Sequence, residues 1–301
     1  MTTRSIILAV AGAFGVGAGI AWSGVEARAD RDWTEVHARA PRIERDGDRI
    51  TIRDIRAFTW PAAGGEPLLR WEDRTYRVDD VATVWYVVAP FETDWRGPAH
   101  TFLSFGFDDG RFLAVSVEAR RERGEEYSML GGLLKRFELI YVIGDERDLV
   151  ASRVLRQDDA TLLYPVRASR DGARALFRSV LGRVEELEQR PEWYGTLRSN
   201  CTTAILRHVD DVIERPIRWG LRVLLPGYSD ALALERGLLD TDLSLEQARH
   251  RFRINERVRR FADAPDFSAR IREAPDPQAD ALGVVRTEPG TATPAPAPDA
   301  P

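Results

Sequence analysis

The sequence predicts an α+β fold in which an antiparallel sheet packs against a helix that carries the sole cysteine. Ala99–Phe107 and Arg111–Ala119 are rich in aromatic and β-branched residues, and Asp108-Asp109-Gly110 between them is typical of a three-residue hairpin loop. Ser169 precedes a long run of apolar residues at helical spacing, and a second such run follows Cys201. Strands followed by amphipathic helices indicate this class of fold.

Composition excludes several classes of function. The 301 residues are 44% hydrophobic and 30% charged, which is typical of a globular protein with a core. A net charge of −5 gives no basic field for nucleic acid. One cysteine excludes an internal disulfide, and the four histidines lack ligand spacing, so we expect neither a metal site nor a cofactor.

Three segments are expected along the chain. Residues 1–29 combine an apolar run, Ser5–Trp22, with the small-x-small pattern Ala27-Arg28-Ala29, and they are interpreted as a signal peptide or an N-terminal membrane anchor. Either interpretation exports the rest of the chain, and we expect a periplasmic location in which an uncleaved segment would anchor the protein to the inner membrane. Residues 30–263 form the predicted domain, and 264–301 form a disordered tail rich in proline and alanine.

Strand patterns are concentrated before residue 167. Residues 30–48 are expected to be helix or coil, and the charged run 120–126 is either a solvated loop or a polar rim around a site. Strands outside the hairpin are predicted at Ile50–Phe58, Val84–Val88, Phe137–Ile143, Val150–Leu155 and Thr161–Val166.

The hairpin register pairs a histidine with a carboxylate. If Phe107 faces Arg111 across the three-residue loop, the numbers of opposite residues sum to 218. His100 then lies opposite Glu118, on the same face of the sheet and within contact distance. A slip of one residue would turn Glu118 to the other face.

The segment around Cys201 predicts the start of a helix. Ser199 and Asn200 are good N-cap residues, and the following apolar residues recur at the helical period. A thiol at the positive end of a helix, flanked by Arg198, is favoured as thiolate. The alternative is that Cys201 is a small buried hydrophobic residue.

A cysteine nucleophile needs a base and a group that orients the base. We predict Cys201 as nucleophile, His100 as base and Glu118 as the orienting carboxylate, whereas His208, two turns into the cysteine helix, is too far for direct contact. Alone, His100 would be a half-buried strand residue bonded to backbone. Substrate-binding roles are predicted for Arg120, Arg198 and Asn200. The arginine-rich helix expected after Ser244 either lies on an anionic membrane or is solvated.

The order of histidine, carboxylate and cysteine resembles the circularly permuted NlpC-like branch of the papain-like thiol fold. Seven short motifs, in sequence over about residues 45–240, resemble the Lnb N-terminal periplasmic domain family of bacterial lipoprotein N-acyltransferases. They are Ile55-Arg56-Ala57-Phe58-Thr59-Trp60, His100-Thr101-Phe102-Leu103-Ser104-Phe105, Ser116-Val117-Glu118-Ala119-Arg120, Asp145-Glu146-Arg147-Asp148, Leu163-Tyr164-Pro165, Asn200-Cys201-Thr202-Thr203 and Leu225-Pro226-Gly227-Tyr228.

The resemblance implies transfer of an acyl group through a thioester on Cys201, with His100 as base, on a lipoprotein or phospholipid at a membrane surface. Enzymes of the family carry further membrane spans, and this sequence has no second long apolar run, so the acyl donor and acceptor stay open. One alternative is a cysteine peptidase or amidase of cell-envelope peptides. The other is a catalytically silent binding module of the envelope.

Overall fold

A computed structural model describes residues 26–274 except 62–63, 92–96, 197–198, 214 and 218–219. The eight strands are β1 (Arg42–Asp46), β2 (Arg49–Arg56), β3 (Trp71–Arg77), β4 (Val81–Pro90), β5 (Ala99–Phe107), β6 (Phe112–Arg120), β7 (Glu138–Gly144) and β8 (Leu162–Pro165). The helices of the described part are α1 (Met129–Leu133), α2 (Glu146–Leu155), α3 (Arg170–Gln189), α4 (Cys201–Asp210), α5 (Leu221–Leu224), α6 (Ser229–Glu235), α7 (Leu245–Arg251), α8 (Asn255–Phe261) and α9 (Phe267–Arg270).

One mixed sheet organises the chain, and the predicted α+β class is confirmed. The strand order is β1-β2-β7-β6-β5-β4-β8, with β3 paired to β2. Every pair is antiparallel except β2 with β7, which run parallel. Helices α3 and α4 cover one face of the sheet, and α2, α8 and α9 cover the other. The site described below lies where β5 begins and β6 ends.

Helix α4 starts where the sequence predicts. Asn200 is the N-cap, and its Oδ1 accepts a hydrogen bond from the Thr203 amide at 2.8 Å. The Thr203 hydroxyl in turn accepts from the Asn200 amide at 2.9 Å, which completes a capping box. Ser169 caps α3 in the same way, because its Oγ accepts from the Gly172 amide at 3.1 Å. Cys201 is therefore the first residue of its helix.

The predicted hairpin register is also confirmed. Gly110 adopts a φ of +79°, which closes the turn, and Phe102 pairs with Ser116 as expected. Pairing between β5 and β6 runs from Gly106↔Phe112 to Phe102↔Ser116 and ends there in the described ladder, whereas β6 stays paired to β7 as far as Arg120. The two strands therefore part beyond Phe102, and a split opens within the sheet.

Several local predictions were wrong. Residues 150–155 belong to helix α2 and not to a strand, because Leu149, Val150 and Val154 bury one helical face against the sheet. Strands β1 and β3 formed where the sequence had predicted none; both are largely polar edge strands that depend on pairing with β2. The arginine-rich segment after Ser244 forms two short helices, α7 and α8, and not one.

The folded domain extends beyond residue 263. Phe267 is 2% exposed and Ile271 is fully buried, so both belong to the core beneath α2 and α8. Arg272 forms an ion pair with the buried carboxylate of Glu146. Residues 264–274 therefore belong to the folded domain and not to the predicted tail. Residues 1–25 and 275–301, which hold most of the other two predicted segments, lie outside the described residues.

Candidate functional site

A cavity of about 430 Å³ occupies the split between β5 and β6. Residues from both faces of the sheet line it: Ala99 and Val117, which face α4, and His100 and Glu118, which point to the other face. Cys201 also lines the cavity. The split explains how a cysteine from one side and a histidine from the other reach one space. Within a continuous ladder the sheet would separate them.

Cys201 is 5% exposed, and its sulfur lies beside the first residue of β5. Its Sγ is 3.9 Å from the carbonyl oxygen of Ala99, the residue before His100. The cysteine packs with the apolar core under α4, as the alternative interpretation predicted, but it also borders the cavity with Tyr127, Tyr194 and Asn200. Cys201 is thus partly a core residue and partly a wall of the candidate site.

His100 is linked to Glu118 through a serine and not directly. His100 Nε2 lies 2.7 Å from Ser116 Oγ, and Ser116 donates to Glu118 Oε1 at 2.8 Å. Because the serine proton goes to the carboxylate, Ser116 must accept from an Nε2–H of His100. Nδ1 of His100 is then the unprotonated ring nitrogen, and its lone pair can accept a proton.

A second histidine, His37, completes this chain. Its Nε2 lies 2.9 Å from Glu118 Oε2, and its Nδ1 accepts from the Arg121 amide at 3.3 Å. Nδ1 therefore lacks a proton and Nε2–H donates to the carboxylate. Both ring nitrogens are engaged, so His37 fixes Glu118 and is not itself a base. Neither His37 nor Ser116 was predicted from the sequence as a residue of the site.

Burial and nearby charges hold the hydrogen-bonded series His100, Ser116, Glu118 and His37 in one protonation state. Burial lowers the pKa of His37, and burial, helped by the charge of Arg153, lowers the pKa of His100 to about 4. Burial alone would raise the pKa of Glu118, but the hydrogen bond from His37 and the charge of Arg56 hold it well below its usual range. At neutral pH the two imidazoles are neutral and the carboxylate is ionised.

The predicted substrate-binding residues do not all lie at the Cys201 cavity. Asn200 lines the cavity, but both ends of its amide are used: Oδ1 caps α4 and Nδ2 donates to the Thr196 carbonyl at 2.7 Å. Arg120 is 8% exposed, donates to the carbonyl of His37 at 3.0 Å and lines a different pocket. Its neighbour Arg121 lines the cavity instead. Arg198 lies outside the described residues.

A second, apolar cavity of about 270 Å³ lies between α4 and the sheet. Thr202 is part of its wall, so it begins one residue from the nucleophile candidate. Two hydrogen bonds lie at that end, Thr101 to Thr202 at 3.0 Å and Tyr86 to Ser229 at 2.6 Å.

The arginine-rich helices are not uniformly solvated. Arg249 of α7 makes a bidentate ion pair with Asp230, at 2.8 and 2.9 Å, and Asp230 is fully buried. Tyr164 donates to the same carboxylate at 3.1 Å. Arg249 therefore joins α7 to α6 and is not available to lipid phosphates. No group of side chains that could hold a metal ion is found in the part of the chain that the structure describes.

Because several histidines are buried, we expect the folded protein to lose stability in acid. His208 is held by Tyr141 and Ser179, each at 2.8 Å, and burial lowers its pKa, like that of His100, to about 4. Between the ordinary pKa of about 6.5 and this value, the unfolded state binds more protons, so stability falls as pH falls. Each histidine should contribute up to about 3 kcal/mol to that loss.

Thermal unfolding measured from pH 7 to pH 4.5 checks this expectation. His208→Gln should make the melting temperature less dependent on pH, whereas His250→Gln, at an exposed position on α7, should leave the dependence unchanged. A melting temperature that stays constant over this range would contradict the expectation.

The fold and the site define an α+β domain with a cysteine and a histidine on one cleft. The family described as the Lnb N-terminal periplasmic domain matches residues 68–226, more than half of the chain, and the protein belongs to that family. The predicted family is confirmed, and it supports a periplasmic location. No curated protein and no solved structure matches the chain.

The match does not reach every element that contributes to the site. It includes His100, Ser116, Glu118 and Cys201, but His37 lies before its first residue. As for membrane spans, the helices within the described residues are all too short or too polar to cross a bilayer. The segment predicted as a leader or anchor lies mostly outside those residues.

Proposed function

We propose that this protein is a cysteine-dependent acyltransferase of the periplasm, with a permuted papain-like thiol fold, that acts on acyl groups of a lipoprotein or phospholipid. The observation that carries the proposal is the shared cavity. Cys201 stands at a helix start, beside the residue that precedes His100, and the Nδ1 lone pair of His100 is set by Ser116 and Glu118.

The proposed reaction has two halves. In the first, His100 Nδ1 takes the proton of Cys201, and the sulfur attacks the carbonyl carbon of an ester or amide to form a tetrahedral intermediate. The intermediate collapses to a thioester as His100 returns the proton to the leaving alcohol or amine. In the second half an amine attacks the thioester and gives its proton to Nδ1, the carbon–sulfur bond breaks, and Nδ1 passes the proton to the departing sulfur, which regenerates the Cys201 thiol and the neutral imidazole.

The first turn of α4 is suited to stabilise the intermediate. The amides of Asn200 and Thr203 are engaged in the capping box, whereas those of Cys201 and Thr202 are not part of it. An amide at a helix start adds a favourable dipole to its hydrogen bond. We assign the oxyanion to this position, next to the attacking sulfur.

A thioester-trapping experiment tests the proposal. The full chain, incubated with a diacyl phospholipid in detergent, should form an acyl adduct on Cys201 that mass spectrometry detects and hydroxylamine removes. Cys201→Ala should give no adduct, and His100→Ala should slow its formation by about 10²- to 10⁴-fold. Arg121→Ala would show whether a cationic wall of the cavity helps to hold the phosphate.

Two other outcomes would identify the alternative functions. If the adduct forms but an added amine never captures the acyl group and free fatty acid accumulates, the enzyme is a hydrolase. If no adduct forms and iodoacetamide labels Cys201 equally fast in wild type and His100→Ala, the domain is a silent binding module.

The hydrolase alternative has one observation in its favour. Part of the cavity wall is polar: Arg153 forms an ion pair with Asp159, and Gln157 lies beside them. Burial raises the pKa of Asp159 to about 6. A wall of this kind suits a charged peptide better than an acyl chain. Incubation with peptidoglycan stem peptides, followed by mass spectrometry, tests it.

A further inference from the structure

Exposed apolar side chains gather around the mouth of the Cys201 cavity. Among the described residues, eight large apolar side chains are exposed by more than a third. Six of these belong to segments that line or directly flank the cavity, and we call them the apolar rim: Phe91, Tyr127, Leu130, Leu134, Leu225 and Tyr228. Isolated exposed apolar residues need no explanation, but a cluster of them at one opening does.

The contacts of the rim place it at the mouth. Phe91 and Tyr127 themselves line the cavity, and Leu225 stands between two further lining residues, Leu224 and Pro226. Tyr228 ends the short 3₁₀ turn that begins at Pro226. Rim residues therefore lie in or next to separate segments of the cavity lining.

Helix α1 and the C-cap residue that follows it supply the remaining two rim residues, Leu130 and Leu134. Gly132 of the helix packs so closely against the cavity wall that a Cβ there would collide with Thr196 and touch Tyr194. Gly131 packs in the same way on Phe137. The glycines thus face inward, while Leu130 and Leu134 are 64% and 51% exposed. Helix α1 and its C-cap therefore each expose a leucine, Leu130 and Leu134, on the side away from the cavity wall.

The N-terminal end of the described chain lies beside the same edge. Glu26 and Arg28 border an open depression together with Lys135 and Arg136, the two residues that follow Leu134. Arg31 fixes this end by an ion pair with Glu138, at 2.6 and 2.8 Å. The sequence before it contains the apolar run of residues 5–22. The first described residues therefore lie next to the rim.

We infer that the apolar rim docks on a lipid bilayer, with the mouth of the Cys201 cavity facing the membrane. The inference rests on the proposed function for its purpose, because an acyl group must leave the bilayer to reach Cys201. An apolar surface that docks in this way lies at the boundary between head groups and acyl chains, about 5–10 Å deep. This assigns membrane contact to the rim and not to the arginines of α7 and α8.

A fluorescent probe on the rim tests the orientation in the full chain. Cys201→Ser removes the native thiol, Leu134→Cys introduces one on the rim, and Leu68→Cys gives a matched control. Leu68 is 68% exposed but belongs to the β2–β3 connection, none of whose described residues lines the cavity. Both variants are labelled with an environment-sensitive fluorophore and added to neutral phosphatidylcholine vesicles with or without nitroxide-labelled lipid.

The probe at position 134 should shift to the blue and be quenched by about twofold or more when nitroxides lie at the depth expected for an interfacial side chain. The probe at position 68 should show neither change. Because Cys201 is absent from both variants, the result does not depend on acyl transfer.

Two results would overturn the inference. A blue shift at position 134 without nitroxide quenching would mean that a second copy of the chain covers the rim, and equal signals at both positions would mean that the membrane is not contacted through it.

In a second measurement, the double variant Leu130→Glu, Leu134→Glu should slow acylation by vesicle lipid about tenfold or more and leave acylation by a soluble short-chain ester unchanged. Equal slowing of both reactions would also overturn it.

Discussion

Replacing Asp148 with alanine is expected to cost about 3–5 kcal/mol of stability, the range for a buried ion pair that loses one partner. Asp148 is fully buried and accepts two hydrogen bonds from Arg56, at 2.7 and 3.1 Å. It also accepts from the Phe58 amide at 3.1 Å and from the Trp60 indole at 2.9 Å. Without the carboxylate, a buried guanidinium and two further donors lose their acceptor.

Denaturant unfolding of Asp148→Ala measures this cost, with Asp171→Ala as the matched control. Asp171 is also an aspartate in the first turn of a helix, but its side chain is 93% exposed and its ion pair with Arg174 lies on the surface. The control should change stability by less than about 0.5 kcal/mol. A loss below about 1 kcal/mol in Asp148→Ala would show that water or rearrangement replaces the carboxylate, contrary to the expectation.

Replacing Glu118 with glutamine is expected to lower the rate of Cys201 acylation by about 10⁴-fold, the effect of imposing the wrong tautomer on a catalytic histidine. His37 can only donate through Nε2, so the glutamine oxygen must face it and the amide nitrogen must face Ser116. The serine then accepts from the amide and donates to His100 Nε2. The proton of His100 moves to Nδ1, which removes the lone pair that would take the thiol proton.

Nitrogen NMR of the His100 ring tests the tautomer separately from the rate. The wild type should show a proton on Nε2, and Glu118→Gln should show it on Nδ1 while the protein stays folded. Ser116→Ala is the control, because it breaks the link without imposing either tautomer, and we expect a loss of only about 10- to 10²-fold. Equal losses in the two variants would show that Glu118 acts through shape or charge alone.

Local features of the site were predictable from sequence because short-range physics fixes them. The capping preference of Asn200 places Cys201 at a helix start, and the Asp108-Asp109-Gly110 turn sets which residues of β5 and β6 are opposite. Residues from motifs that are distant in the sequence also form pairs in the fold. Arg56 and Asp148, for example, come from two of the segments that carry the family resemblance.

Other features followed no local rule. Residues 150–155 have the composition of a strand, yet they form part of α2, because that helix buries its apolar face between the sheet and α8. The carboxylate predicted to touch His100 contacts Ser116 and His37 instead, since β5 and β6 separate before the expected pair is reached. Strand propensity contains no signal for where a ladder ends.

It could be predicted from the sequence alone that a lone cysteine begins a helix, that a histidine and a glutamate lie on one hairpin, and that the chain resembles a family of periplasmic domains. Each of these depends on neighbours along the chain or on motif order. The fold was needed to show that the sheet splits and brings Cys201 and His100 to one cavity, that His37 holds Glu118 by a hydrogen bond, and that apolar side chains surround the opening. The contact of His37 with Glu118 joins residues 81 apart in the sequence and that of Cys201 with Ala99 joins residues 102 apart, and local propensity does not encode such contacts.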